Sequence, residues 1–128
     1  MILRSEIGYS LLEYSLKEAP REAVALLWGH GETITAVRIL TNISKEEGVF
    51  ELDEEEVEGA VREYQNLTLL GFFHSHPTDI PAPSVQDIDG AEGTRIPFHV
   101  ILSLKPRPCF RCWRIFGGQV YPERVDWE

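Results

Sequence analysis

Cysteine and methionine are nearly absent from this chain of 128 residues, with two of the former and one of the latter, and asparagine and glutamine are few. No apolar run approaches the roughly 20 residues that a membrane span needs. The opening residues, Met1-Ile2-Leu3-Arg4, lack the charged and apolar regions of a secretory signal. The expectation is a soluble, cytoplasmic protein with no membrane partner. Basic residues are also scarce: 12 Lys and Arg stand against 21 Asp and Glu, for a formal charge of −9. Nucleic-acid affinity comes largely from clustered Lys and Arg that displace counterions, so this balance argues against a DNA or RNA partner. Arg107, Arg111 and Arg114 are a local exception; they read as solvated arginines on an edge strand, with an acidic partner as the alternative. The excess of Glu over Asp and the shortage of amides lean toward thermophilic composition.

The two cysteines form Cys109-Phe-Arg-Cys112. A structural zinc site needs four ligands, and no second pair exists to complete one. Cys109 to Phe116 is β-rich, and residues three apart on a strand face opposite sides. Ordinary thiols are expected, with a disulfide left open should a turn or bulge interrupt the strand.

What is present suits one α/β domain over residues 1–128: 43% of residues are hydrophobic, enough for a single core. Ser5, as an N-cap, opens an amphipathic helix through Ile7, Leu11, Tyr14 and Leu16, ended by Pro20. Glu22 to Trp28 is nearly all apolar and reads as a buried strand entering a turn at Gly29-His-Gly31, with Thr33 to Thr41 as its hairpin partner. Val49 to Leu52 reads as a brief strand. Asp53 caps a helix whose first-turn glutamates suit the positive end of the helix dipole, and whose buried face is Val57, Ala60, Val61 and Tyr64. Leu67 to His76 is again β-like. A proline-rich loop follows, then a short helix from Ser84 and strands at Phe98–Leu104, Cys109–Phe116 and Gln119–Val125.

The chemistry concentrates at the end of the Leu67–His76 strand. Successive strand residues alternate faces, so His74 and His76 point the same way and Ser75 the other. Pro77 stops the strand. A helix starting at Ser84 carries Asp87 on roughly the same side as its first residue, within approach of the two imidazoles. Two neutral imidazoles and a carboxylate suit Zn²⁺ and leave a fourth tetrahedral position for water. The metal would lower that water's pKa to about 7, and a hydroxyl such as that of Ser84 would donate to the oxyanion. The alternatives stay open: Ser-x-x-Asp is also close to a helix capping box, and a His-x-His pair occurs in surfaces and cores without any metal.

His74-Ser-His-Pro, seven residues to Ser84, then two residues and Asp87, resembles the signature of the JAMM/MPN+ metalloproteases at every fixed position. Gly71-Phe-Phe resembles the family's strand, and Pro20 to Gly29 resembles its segment bearing the catalytic Glu; the likeness runs from Ser5 to about Leu104. The resemblance implies one zinc per chain on His74, His76 and Asp87, with Glu22 as general base and acid and Ser84 stabilising the oxyanion. Physical reading alone does not select Glu22 from the other glutamates. His99 and His30 match no ligand position and are expected to be packing and surface residues respectively.

The implied fold is a curved mixed sheet flanked by helices, cytidine deaminase-like. The implied activity is hydrolysis after the C-terminal glycine of a ubiquitin-like modifier, desampylase- or deubiquitinase-like, with conjugates of that modifier as partners. The alternatives are a processing protease for a sulfur-carrier protein, a non-catalytic MPN-type scaffold and a related DNA-repair enzyme. Homodimerisation, common in the resembled family, is open to this chain. Linkage-selecting relatives carry insertions, whereas the connection from Asp87 to Phe98 is short, so no linkage selectivity is expected.

Overall fold

The computed structural model describes residues 1–128. Its elements, in chain order, are β1 (Ile2–Leu3), α1 (Ser5–Glu18), β2 (Val24–His30), β3 (Thr33–Leu40), α2 (Glu54–Ala60), β4 (Thr68–His76), α3 (Val85–Ala91), β5 (Phe98–Ser103), β6 (Cys109–Phe116), β7 (Gln119–Glu123) and β8 (Asp126–Trp127). The strands form one mixed sheet in the order β7-β6-β5-β4-β2-β3-β1-β8. The β4–β5 pair is parallel, and such a pair requires a crossover between its strands; the Pro77–Pro97 connection with α3 supplies it. No helix is long and apolar enough to cross a membrane.

Alternation along β2 explains why the sheet is covered on both faces. Ala25 and Leu27 join Phe73, Val100, Leu102 and the α1 residues Ile7 and Leu11 in one core. Val24, Leu26 and Trp28 turn the other way, onto Leu40 and Ala60 of α2. A strand buried on both faces loses its polar alternation, hence the continuous apolar run in β2.

Several sequence expectations shift. Arg4 rather than Ser5 is the N-cap of α1, and Leu16 is exposed while Ser15 is buried, because the buried stripe runs through Ile7, Gly8, Leu11 and Ser15. Trp127 lies against α1 there: a Cβ on Gly8 would sit 2.5 Å from its ring. β2 begins after Glu22 and runs on through Gly29 and His30, leaving Gly31-Glu32 as the turn. Val49–Leu52 is not a strand; its backbone is held by Asn42 and by a bond from the Ile43 N–H to the Glu51 carbonyl. α2 ends at Ala60, so Tyr64 packs edge-on against Trp28 from beyond the helix. β6 lies between β5 and β7 and is not an edge strand. On it, Arg114 stacks over Phe98 at 4.8 Å and pairs with Glu123. Both cysteines are free thiols.

Candidate metal centre

β4 carries His74 and His76 to its C-terminal end with both rings on the α2 side of the sheet, beside β2 in a register that sets Val24 opposite His74. Ser75, between them, faces the other way and is fully buried. Its hydroxyl accepts the Ala23 N–H at 2.8 Å, while its own N–H donates to the Ala23 carbonyl at 3.0 Å. These bonds fasten the residue after Glu22 to the strand between the two histidines. From the other side, the Asn42 amide donates to the Glu22 carbonyl at 2.9 Å. Neither Ser75 nor Asn42 was singled out as a site residue from sequence, since a buried polar side chain bonded to a distant backbone leaves no local pattern.

Asp87 arrives from α3 through a complete capping box. The Ser84 hydroxyl accepts the Asp87 N–H at 3.1 Å, and Asp87 Oδ2 accepts the Ser84 N–H at 2.9 Å. The same Oδ2 lies 3.2 Å from Nε2 of His74 and 3.2 Å from Nε2 of His76, and those two nitrogens are 3.1 Å apart. Glu22 is 6% exposed, and its carboxylate lies within 4.8 Å of the donor atoms of both histidines. The structure therefore brings Glu22, His74, His76, Ser84 and Asp87 together. His30 is exposed. His99 is buried, and its Nε2 has no hydrogen-bond partner.

The arrangement calls for a cation. His76 Nδ1 is 2.7 Å from the Ile80 carbonyl, which only accepts, so Nδ1 carries a proton and Nε2 of the neutral ring is a lone pair. That lone pair faces a carboxylate oxygen and another imidazole nitrogen. Burial by itself would lower the His76 pKa, but hydrogen bonding to Asp87 and Ile80 and the charges of Asp87 and Glu22 carry it upward. Burial would raise that of Asp87, but the two histidines hold it well below the usual carboxylate range. His74 is pushed down by burial. Glu22 is pushed up to about 7, by burial first, with His76 opposing and Asp87 reinforcing. A divalent ion at the common point would meet three donors. Zn–N and Zn–O bonds of about 2.0–2.2 Å place neighbouring ligands of a tetrahedral site about 3.3 Å apart, and the donor separations of 3.1–3.2 Å fit that spacing.

A groove of about 340 Å³ runs past Glu22, Ser84 and Asp87. A second pocket, of about 190 Å³, lies on the His74 side between α3 and the sheet.

A mixed sheet covered by helices on both faces, with two histidines and a carboxylate converging beside a buried glutamate, defines an α/β protein built around a metal-binding centre. The family model for prokaryotic homologs of the JAB domain matches residues 9–116, and the chain belongs to that family, as its likeness to the JAMM/MPN+ proteins implied. A desampylase of Pyrococcus furiosus is 35% identical over 71 residues, which cover 54% of this chain and 51% of that protein. A desampylase of Haloferax volcanii is 33% identical over 79 residues, covering 58% and 57%. The chain thus spans about half the length of the curated relatives it matches. A protein of Desulfitobacterium hafniense, solved in solution, is 27% identical and superposes with a TM-score of 0.86 over 100% of this chain and 93% of the other.

Proposed function

We propose that this chain is a zinc-dependent isopeptidase of the cytoplasm that hydrolyses the bond following the C-terminal glycine of a ubiquitin-like modifier. His74, His76 and Asp87 hold one zinc ion, Glu22 is the general base and acid, and Ser84 is the oxyanion donor. The observation that carries this reading is a buried carboxylate within 4.8 Å of the donor atoms of two histidines that share Asp87. The desampylases matched over half their length support the choice of substrate class.

When bound, zinc supplies Lewis acidity, polarising the scissile carbonyl and lowering the pKa of water to about 7. Glu22 then takes a proton from the attacking water and returns it to the departing amine. A positioned general base of this kind contributes about 10²–10⁴ in rate. The Ser84 hydroxyl already accepts the Asp87 N–H, which leaves its own hydrogen free to donate to the carbonyl oxygen as charge develops there.

The test is incubation of zinc-loaded protein with conjugates of Gly-Gly-terminated ubiquitin-like proteins, beside the Glu22→Gln variant and a chelated control. Cleavage is expected to fall by about 10²–10⁴ in Glu22→Gln and to vanish on chelation. Wild-type rates in Glu22→Gln would remove that residue from the mechanism. Zinc-loaded protein inert toward every conjugate would favour the scaffold reading.

A further inference from the structure

Nδ1 of His74 and Nε2 of His99 are both buried without a hydrogen-bond partner. The two residues are only 3% and 6% exposed. Buried polar groups in folded proteins are nearly always paired, with protein or with ordered water. These two atoms also share a place in the fold. β4 and β5 run parallel with Phe72 opposite His99 and His74 opposite Ile101, so the two histidines are diagonal neighbours on one face of the sheet. The Phe72 ring lies 6.1 Å from the first and 6.5 Å from the second. Both histidines line the pocket of about 190 Å³ between α3 and the sheet.

Since neither nitrogen has a partner, the two do not bond each other directly. The other polar side chains of the pocket do not bridge them. Thr94 donates its hydroxyl to the Ala91 carbonyl, Gln86 is exposed, and Asp87 faces the opposite nitrogen of the His74 ring. A water needs about 10–15 Å³ of cavity, and the pocket has that room.

Proton positions identify water as the bridge. Burial pushes the pKa of His99 down to about 4, so its ring is neutral. The ring bonds the Ile96 backbone, and because Nε2 takes no part in that bond, Nδ1 carries the proton and Nε2 is a lone pair. His74 with Nε2 on a metal carries its proton on Nδ1. With Nε2–H given to Asp87 instead, Nδ1 is a lone pair. Water suits both states, since it can accept from Nδ1–H or donate to the lone pair while donating to His99.

We propose that His99 is a positioning residue for His74: its Nε2 holds one buried water that accepts the His74 Nδ1–H, fixing the tautomer in which Nε2 of His74 is the metal ligand. The assignment rests on the zinc ligation read under Proposed function. Phe50 and Phe72 pack against the His74 ring, but apolar side chains do not choose which nitrogen carries the proton. Loss of such an outer partner of a metal-binding histidine typically costs about 10–100-fold in metal affinity.

The first arm of the test is a high-resolution crystal structure of wild-type protein, metal-free and zinc-loaded. One ordered water is expected within about 2.7–3.2 Å of both nitrogens in each form; a water bonded to neither ring, or none there, would overturn the proposal. The second arm measures zinc affinity by competition with a chromogenic chelator at neutral pH. His99→Leu should bind about 10–100-fold more weakly than wild type. His99→Gln puts an amide oxygen near the place of Nε2 and should keep most of the affinity. Nitrogen NMR of the zinc-loaded protein should show a protonated His74 Nδ1 whose hydrogen exchanges slowly in wild type and faster in His99→Leu. Wild-type affinity in His99→Leu, an equal loss in the Leu and Gln variants, or an unprotonated His74 Nδ1 would each refute the assignment. A water seated on both nitrogens in protein that takes up no zinc would uphold the bridge and bring down the zinc reading instead.

Discussion

Asn42 is 3% exposed, and its side chain joins three separate stretches of backbone. Nδ2 donates to the carbonyls of Glu22 at 2.9 Å and Val49 at 3.2 Å, while Oδ1 accepts the N–H groups of Ser44 at 3.0 Å and Glu51 at 3.1 Å. Asn42→Ala removes all of these bonds. Val49 and Glu51 are exposed enough to regain water, but Glu22 and Ser44 are buried. With about 1 kcal/mol for each of the two bonds that water can replace and about 1–3 kcal/mol for each of the two buried groups left unpaired, the loss comes to about 4–8 kcal/mol. That is a large share of the roughly 5–15 kcal/mol that holds a domain folded. Urea unfolding of metal-free protein is the assay, read as a lower midpoint at unchanged slope. Asn42→Asp keeps the one oxygen that accepts both N–H groups but replaces the donor by a second oxygen facing the two carbonyls, and should be at least as damaging. An alanine variant within about 1 kcal/mol of wild type, or a milder aspartate variant, would refute the account, because the bonds would then be worth less than their burial implies.

Gly29→Ala would place a Cβ 1.8 Å from the Thr33 carbonyl oxygen, at the point where the β2–β3 register shifts. Backbone must move to relieve that contact, and thermal unfolding should show a fall of at least 2–3 kcal/mol, of the order seen for overpacking. The thiols should separate cleanly under a disulfide reagent at pH 8. Cys109 reacts in the native protein, whereas Cys112, 2% exposed and pushed up to about 12 by burial, reacts only on unfolding; two fast thiols would contradict this packing. His99 gives a pH signature. With its folded pKa depressed to about 4 from 6.5, the unfolded chain binds the extra proton between those values, so stability is full above about 6.5 and falls as the pH drops toward 4. The shift corresponds to about 3 kcal/mol at most. His99→Leu should flatten that acid limb relative to wild type in metal-free protein, and an unchanged limb would show that His99 is not held neutral.

How much of this was legible before folding depended on the range of the interaction. The pairing of His74 with His76 follows from the two-residue repeat of a strand, and the placement of Asp87 follows from the first turn of a helix; both are local rules. Glu22 obeys neither. It reaches the site because β2 pairs with β4 in a register that sets Val24 against His74, a fact of tertiary structure that only the family resemblance supplied. The two-residue strands β1 and β8 escaped for a related reason. Each is too short to show alternation, and they exist because β1 pairs in parallel with both β3 and β8. Tyr64 suited a helical face by spacing, yet α2 stops at Ala60 and the Trp28 contact is made by the chain after it.

The Ser-x-x-Asp spacing admitted two readings, a helix cap or a metal ligand, and in the folded chain the cap and the approach of Asp87 to both imidazoles are one arrangement. Asp87 Oδ2 accepts the Ser84 N–H while facing both imidazole nitrogens, so the cap fixes the carboxylate before any ion arrives. The Ile80 carbonyl does the same for His76 by fixing its tautomer, and the Ser75–Ala23 bonds do so for the backbone beside Glu22. Immobilising a side chain on binding costs about 0.5–1.5 kcal/mol, and here that ordering is already part of folding. His74 is the exception. Its Nδ1 is buried without a partner, and its ring is steadied by Phe50 at 5.4 Å and Phe72 at 6.1 Å. Apolar packing therefore orients one of the converging side chains where hydrogen bonds orient the others. Phe50, Phe72 and His74 also line the pocket between α3 and the sheet, so the rings that steady His74 are at the same time the wall of that pocket.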